Sequence, residues 1–300
     1  MKIAVTGAFS YSGKYIAKRL LARGENVITL TNHPNRPDPF AGRVKALPLD
    51  FQNEEELTSN LRGVDVLVNT YWIRFDKGAN TQPKAVENTR TLIRAAAKAG
   101  VKRVVHISIT NPSADSHLPY FWGKAANEKA VIDSGMSYAI LRPTVLFGKE
   151  DILINNIAWL LRSLPVFGLP GDGSYKLSPV YVDDLAELAV DAVYKKESYV
   201  WDAVGPDEFT FKEMVQLIGK TVSVNRLLIP LPPLLALWAA QFLSIFVKDV
   251  MLTPEEVDGL MANLLVSKEP PRCKTSLQSW LEENKATVGK QYASELARHF

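Results

Sequence analysis

Short apolar runs alternate with helical patterns from the first residue to about Leu146, with runs at residues 2–6, 27–31, 44–48, 65–69, 103–108 and 137–142. Ile3, Ala4 and Val5 suit a strand buried on both faces. Strands of this kind, separated by helices, predict an α/β fold with a doubly wound parallel sheet. A helix is expected from about Lys14, with Ile16, Leu20 and Leu21 on one face. Another is expected over residues 87–100, where Asn88, Leu92, Ala95, Ala96 and Ala99 keep a helical spacing and Gly100 supplies the stop.

After Gly148 proline, glycine and tryptophan punctuate shorter elements. A smaller C-terminal substrate lobe is expected there, over 149–300, beside a nucleotide-binding core over 1–148 that takes further elements from about 176–204. Thr210 with Glu213, and Thr253 with Glu256, each read as a capping box, the second with Pro254 at the first helical position. Val257, Leu260, Met261, Leu264 and Leu265 mark one buried face of the helix that follows. No charge appears from Leu227 to Val247, and Pro230, Pro232 and Pro233 interrupt the first part of that stretch. The helix left over, Leu234 to Val247, spans roughly 20 Å against a hydrocarbon core of roughly 30 Å. It is read as a buried lobe helix or pocket wall, with a dimer contact or docking to a membrane surface as the alternatives, and no membrane span is expected.

Composition narrows the class. The 300 residues are 47% hydrophobic and 22% charged, as in an ordinary globular chain, and a net charge of +3 without basic blocks gives no sign of nucleic acid as a partner. Cys273 is the only cysteine, which excludes an internal disulfide and fits a reducing compartment. With the first strand beginning at Lys2 there is no room for a leader in this sequence, so a cytoplasmic location is expected. His33, His106, His117 and His299 are scattered without metal-ligand spacing, and neither a Gly-x-Ser-x-Gly elbow nor a Walker sequence occurs.

The chemistry begins at the first turn. Strand, glycine turn and helix follow one another through Thr6, Gly7, Ala8, Phe9, Ser10, Tyr11, Ser12 and Gly13. Gly7 permits the tight exit from the strand, Gly13 lets the helix lie close, and the helix N-terminus offers unpaired N–H groups to a diphosphate. Farther on, Tyr120 and Lys124 stand at i and i+4, which puts both on one helix face after the strand ending near Ser108. A free phenol has a pKa of about 10, and a neighbouring ammonium favours its ionised form, so the pair suits proton exchange with a carbonyl or alcohol. Pro119 fits the first turn of that helix, and Gly123 inside it implies the close approach of a packed cofactor or strand.

Thr-Gly-x-x-x-x-x-Gly at the N-terminus resembles the extended and atypical short-chain dehydrogenase/reductases, whose pattern is Gly-x-x-Gly-x-x-Gly. Ser10 stands where the middle glycine belongs, and its hydroxyl is expected to donate to a phosphate. The resemblance runs from Met1 to about Lys220 and is strongest to the branch that holds nucleoside-diphosphate-sugar epimerase-like proteins and the nucleotide-binding accessory subunit of respiratory complex I. It implies a Rossmann fold and a small-molecule substrate, with Tyr120 as acid/base, Lys124 as its partner and holder of ribose hydroxyls, and Thr110 as orienter with Ser108 in reserve. Asp50, with Phe51 beside it, resembles the family's adenine-contacting aspartate, the alternative being a helix N-cap. Asn69, Thr70 and Tyr71, and Pro143 and Thr144, resemble the residues lining the nicotinamide half. Asp183 and Asp184 are read as caps of a helix from Leu185.

At the end of the second strand Thr31, Asn32 and His33, with Arg36 close behind, replace the carboxylate that would bind the ribose 2′-hydroxyl of NAD. NADP(H) is therefore favoured and NAD(H) is the alternative. The function expected is NADP(H)-dependent hydride transfer to or from a carbonyl or alcohol, in a monomer or homodimer. The alternatives are a non-catalytic nucleotide-binding assembly protein and a nucleoside-diphosphate-sugar epimerase or dehydratase.

Overall fold

The computed structural model describes residues 1–33 and 35–296; of the residues singled out above, His299 lies outside them. The described chain runs β1 (Lys2–Thr6), α1 (Tyr11–Ala22), β2 (Asn26–Thr31), β3 (Lys45–Pro48), α2 (Glu54–Leu61), β4 (Val66–Asn69), α3 (Gln82–Ala99), β5 (Arg103–Ile107), α4 (Pro119–Asp133) and β6 (Ser137–Pro143). Next come β7 (Val145–Phe147), α5 (Leu153–Ser163), β8 (Val166–Pro170), β9 (Lys176–Leu177), β10 (Pro179–Tyr181), α6 (Val182–Tyr194) and β11 (Tyr199–Ala203). The remainder holds β12 (Phe209–Thr210), α7 (Phe211–Thr221), β13 (Leu227–Leu231), α8 (Pro233–Val247), α9 (Pro254–Met261) and α10 (Leu277–Asn284). These elements fall into two compact units, one of residues 1–143 with 182–203, the other of 144–181 with the chain from 204 onward.

The first unit holds a seven-stranded parallel sheet in the order β11-β6-β5-β4-β1-β2-β3. The chain winds outward from β1 in one direction through β2 and β3, then crosses back and winds the other way from β4. Their junction, β1 beside β4, is the topological switch point, and ligands of such sheets bind there, outside the carboxyl ends of the strands. Ala4, Leu30, Leu67, Val104 and Ile140 from the sheet pack with Leu57, Leu61 and Leu92 from α2 and α3 in one buried cluster. Helix α3 opens under the Thr81 cap and closes on Gly100 at φ 81°, a left-handed conformation that glycine adopts without strain.

The second unit has three two-stranded pairs, β7–β10 and β8–β13 parallel and β9–β12 antiparallel. Phe147, Ile154, Leu161, Leu169, Met214, Ile218 and Trp280 are among the buried residues of its core. Both capping boxes are present, Thr210 with Glu213 opening α7 and Thr253 with Glu256 opening α9.

Four local expectations are corrected. Helix α1 begins at Tyr11 rather than Lys14, because Ser10 takes the extended N-cap conformation and Gly13 lies inside the helix. Helix α6 begins at Val182, so Asp183 and Asp184 sit in its first turn rather than ahead of it, where carboxylates oppose the helix dipole favourably. Asp183 also pairs with the Arg19 guanidinium at 2.7 and 3.0 Å, joining α6 to α1. Asn53, not Asp50, caps α2 by accepting the Glu56 N–H at 3.0 Å, while Asp50 accepts from Gln52 N at 2.9 Å. Helix α9 stops at Met261, which is 39% exposed, so Leu264 and Leu265 lie beyond it.

The largest departure is α8. It buries only Ala236 and Leu237, whereas Leu234, Trp238, Phe242, Ile245 and Phe246 are 61–73% exposed. Apolar but for Gln241 and Ser244, the helix packs chiefly on β8 and β13. Among the described residues no helix is long and apolar enough to cross a membrane.

Candidate functional site

Gly7 leaves β1 at φ 65°, with its N–H donated to Leu30 O at 3.0 Å. Its carbonyl accepts twice from Ser10, from the backbone N at 2.8 Å and from Oγ at 2.6 Å. The serine hydroxyl thus turns back into the loop and is not aimed at a phosphate, contrary to expectation. The loop is further pinned where Ala8 N donates to Thr29 Oγ1 at 2.9 Å and that hydroxyl donates to Val5 O at 2.9 Å. Gly13 is required by contact: a Cβ there would stand 2.2 Å from Gly7 O. No side chain caps the α1 N-terminus, which leaves the positive end of the helix to a ligand. Phe9, Tyr11 and Ser12 are partly exposed around this turn, and Phe9 leans on Phe40 with ring centroids 6.3 Å apart.

The adjoining strand ends lie along the same carboxyl edge of the sheet. At the end of β2, Asn32 and His33 are exposed; Thr31 Oγ1 accepts from His33 N at 3.0 Å, and Arg36 N donates to His33 O at 3.2 Å. Desolvation, then the charge of Arg36, lowers the His33 pKa. After β3, Asp50 is exposed and Phe51 packs on Tyr71 with centroids 4.7 Å apart. Tyr71 accepts a hydrogen bond from Asn88 Nδ2 at 2.9 Å, and burial raises its pKa.

At the switch point, Thr6 Oγ1 donates to Asn69 Oδ1 at 3.1 Å and accepts from Thr70 N at 2.7 Å, while Thr70 Oγ1 donates to Thr6 O at 2.6 Å. Asn69 Nδ2 meets His106 Nδ1 at 3.1 Å. His106 is fully buried and its pKa falls to about 3, by desolvation first and the nearby Lys124 charge second. Asn69 is likewise fully buried, and its amide joins β4 to β1 and β5.

Helix α4 brings Tyr120 and Lys124 to this region. Tyr120 is partly exposed, and its ring meets Trp72 edge-on at 5.7 Å. Lys124 is 4% exposed; its Nζ donates to Ile107 O at 3.0 Å and lies 6.0 Å from the Tyr120 ring centroid and 5.1 Å from that of Trp72. Desolvation lowers the Lys124 pKa to about 7, with Glu128 opposing the fall. Gly123 is explained by Trp72, since a Cβ there would stand 2.5 Å from the indole Cη2; the close neighbour is a side chain, not a strand or cofactor. His117 is exposed ahead of α4.

The two candidate orienting hydroxyls are already engaged. Thr110 is fully buried, with Oγ1 donated to Asp202 Oδ2 at 3.1 Å and its N–H to Pro143 O at 2.9 Å. Ser108 donates to the Glu128 carboxylate, which Arg142 holds through two bonds at 2.9 and 2.6 Å. Thr144 belongs to the second unit, where its hydroxyl donates to Ser178 O. No cluster of His, Cys, Asp or Glu among the described residues is arranged to hold a metal ion.

Sequence reasoning gave no site role to Thr6, Thr29, Trp72, Asn88, Glu128 or Asp202. Only Glu128 carried a signal, standing at i+4 from Lys124 on the helix face already singled out.

A glycine turn entering an uncapped helix, at the switch point of a doubly wound parallel sheet, defines a Rossmann domain for dinucleotides. The model of the NAD(P)H-binding family matches residues 7–158, and the chain belongs to that family. Among curated relatives, the NADH-ubiquinone oxidoreductase 40 kDa subunit of Neurospora crassa is 24% identical over 230 residues, 74% of this chain and 60% of that protein. The chain spans between 23% and 60% of the length of the first curated relatives it matches. Two solved structures share the fold at a TM-score of 0.73. The NADPH-dependent quinone oxidoreductase QOR2 of Escherichia coli, complexed with NADPH, is 21% identical with 97% of both chains covered. A nucleoside-diphosphate-sugar epimerase of Staphylococcus aureus is 17% identical, with 94% of this chain and 100% of that one covered.

Proposed function

We propose that this chain is an NADP(H)-dependent oxidoreductase of the short-chain dehydrogenase/reductase type, acting on a carbonyl or alcohol. The backbone amides of the Gly7–Gly13 turn and the α1 N-terminus hold the diphosphate, with Phe9, Ser10, Tyr11 and Ser12 around it. Arg36, beside Asn32 and His33, pairs with the 2′-phosphate; Asp50 and Phe51 flank the adenine; Thr70 and Tyr71 line the way to the nicotinamide, which supplies or accepts hydride when bound.

The observation that carries the reading is the placement of Lys124. Its ammonium lies buried 6.0 Å from the Tyr120 ring, with its pKa brought down to about 7. While Lys124 keeps its proton, a cation so placed, with little water to screen it, favours the phenolate, so Tyr120 gives a proton to a carbonyl oxygen or takes one from an alcohol. Thr110 and Ser108 have no part in this step, because both hydroxyls are donated elsewhere in the fold. Quinones, the substrate class named for the Escherichia coli neighbour, are the first carbonyl compounds to try. The test is Tyr120→Phe: NADPH oxidation with an accepted carbonyl substrate should fall at least 100-fold while the Kd for NADPH stays within about threefold. Unchanged turnover would remove Tyr120 from the mechanism.

A second reading, a nucleotide-binding assembly protein without turnover, draws on the same engaged hydroxyls and on the complex I relatives. It predicts NADPH binding with no oxidation by any ketone, aldehyde or quinone.

A further inference from the structure

Helix α8 carries a stripe that none of the described residues covers. Leu234, Leu235, Trp238, Phe242, Ile245 and Phe246 are 49–73% exposed. At 100° per residue they fall in one sector of roughly 120°. Leu235, Trp238, Phe242 and Ile245 follow one another at spacings of three, four and three, the seam spacing of helices that pack side by side. We propose that this stripe is the contact between two copies of the chain, paired through α8 about a two-fold axis.

Size and charge select a second copy. The six side chains, two of them Phe and one Trp, expose on the order of 800 Å², about one partner's share of a standard protein interface. In a two-fold contact the same surface supplies both sides, so a charged surface opposes its own sign, whereas residues 227–247 carry no charge at all. An anionic bilayer is attracted by a basic rim. The residues bordering the stretch supply two basic side chains, Arg226, its Nε donated to Leu161 O at 2.9 Å, and Lys248, short of the cluster of about four to eight that marks a lipid-binding segment. The Asp249 carboxylate accepts from Tyr292 Oη at 3.0 Å and from Glu295 N at 2.7 Å, tying the end of α8 to the C-terminal segment, so the stripe is presented on an anchored helix. The proposed contact belongs wholly to the second unit and stands whether or not the chain turns over a substrate.

Analytical ultracentrifugation of the full chain at micromolar concentration, with and without mixed phosphatidylcholine and phosphatidylglycerol vesicles, tests the assignment. A particle of twice 33.3 kDa is expected, returning to 33.3 kDa in Trp238→Glu and in Ile245→Lys with unchanged far-ultraviolet circular dichroism. Both replaced side chains are mostly in solvent, so neither change empties a core. A parent chain that stays at 33.3 kDa overturns the proposal, and its flotation with vesicles would then assign the stripe to a bilayer. Two folded variants that remain dimeric also overturn it.

Discussion

Replacing Gly13 with alanine should cost both stability and nucleotide affinity. The added Cβ would stand 2.2 Å from Gly7 O, 2.8 Å from Gly7 C and 3.2 Å from Ala8 Cα, all backbone atoms. Ordinary contact begins near 3.5 Å, so helix and turn must separate by about 1 Å. The turn cannot yield alone, because Gly7 and Ala8 are held by Leu30 O, Ser10 and Thr29 at 2.6 to 3.0 Å. Overpacking of this kind costs about 1–3 kcal/mol, or a fall in Tm of roughly 2–12 °C for a unit of this size. The same displacement pulls the amides from a diphosphate, so the Kd for NADPH should rise by about 10- to 100-fold, or 1.4 to 2.7 kcal/mol. Gly24→Ala separates the two effects: it has φ 78° and no neighbour within 4 Å, so it should lower Tm modestly and leave affinity alone. Calorimetric titration and thermal melts of the three proteins decide the matter. A Gly13→Ala protein with parental Tm and Kd would refute the reasoning.

Arg36→Ala should weaken NADPH about 10-fold in titrations while NADH is unaffected, since only the 2′-phosphate distinguishes them; equal losses would mean that Arg36 does not read this group. Stability should also depend on pH in a set direction. Lys124 falls from 10.5 to about 7 on folding, so between those values the unfolded chain holds a proton that the folded chain has released, and stability rises with pH. His106 falls from 6.5 to about 3, so stability declines as pH drops through that window. Urea titrations should show a gain from pH 7 to 9 that Lys124→Met flattens; an equal gain in the variant would refute the burial of that charge.

How far the fold was legible depended on the range of the forces involved. The strands flanking the switch point announced themselves as apolar runs, and the capping boxes at Thr210 and Thr253 closed within three residues. Gly7 and Gly13 were readable because a backbone turn has few solutions. Distant partners were not: Thr110 looked like a free orienting hydroxyl, whereas it donates its hydrogen bond to Asp202, 92 residues on. The Ser10 hydroxyl had two acceptors available in principle, and sequence does not choose between its own loop carbonyl and a phosphate. Helix α8 misled in the opposite sense. Apolar composition reports what a helix is able to bury, and among the described residues the fold buries only Ala236 and Leu237 of this one.

The central claim is that the amino-terminal turn grips a pyridine dinucleotide. Calorimetry and thermal shift with NADPH, NADP⁺, NADH and NAD⁺ test it most directly. At a hundredfold excess over Kd, NADPH or NADP⁺ should stabilise the protein by about 2.7 kcal/mol, raising Tm by roughly 5–10 °C, with a smaller shift for the other two. No heat and no shift with any of the four would contradict the account.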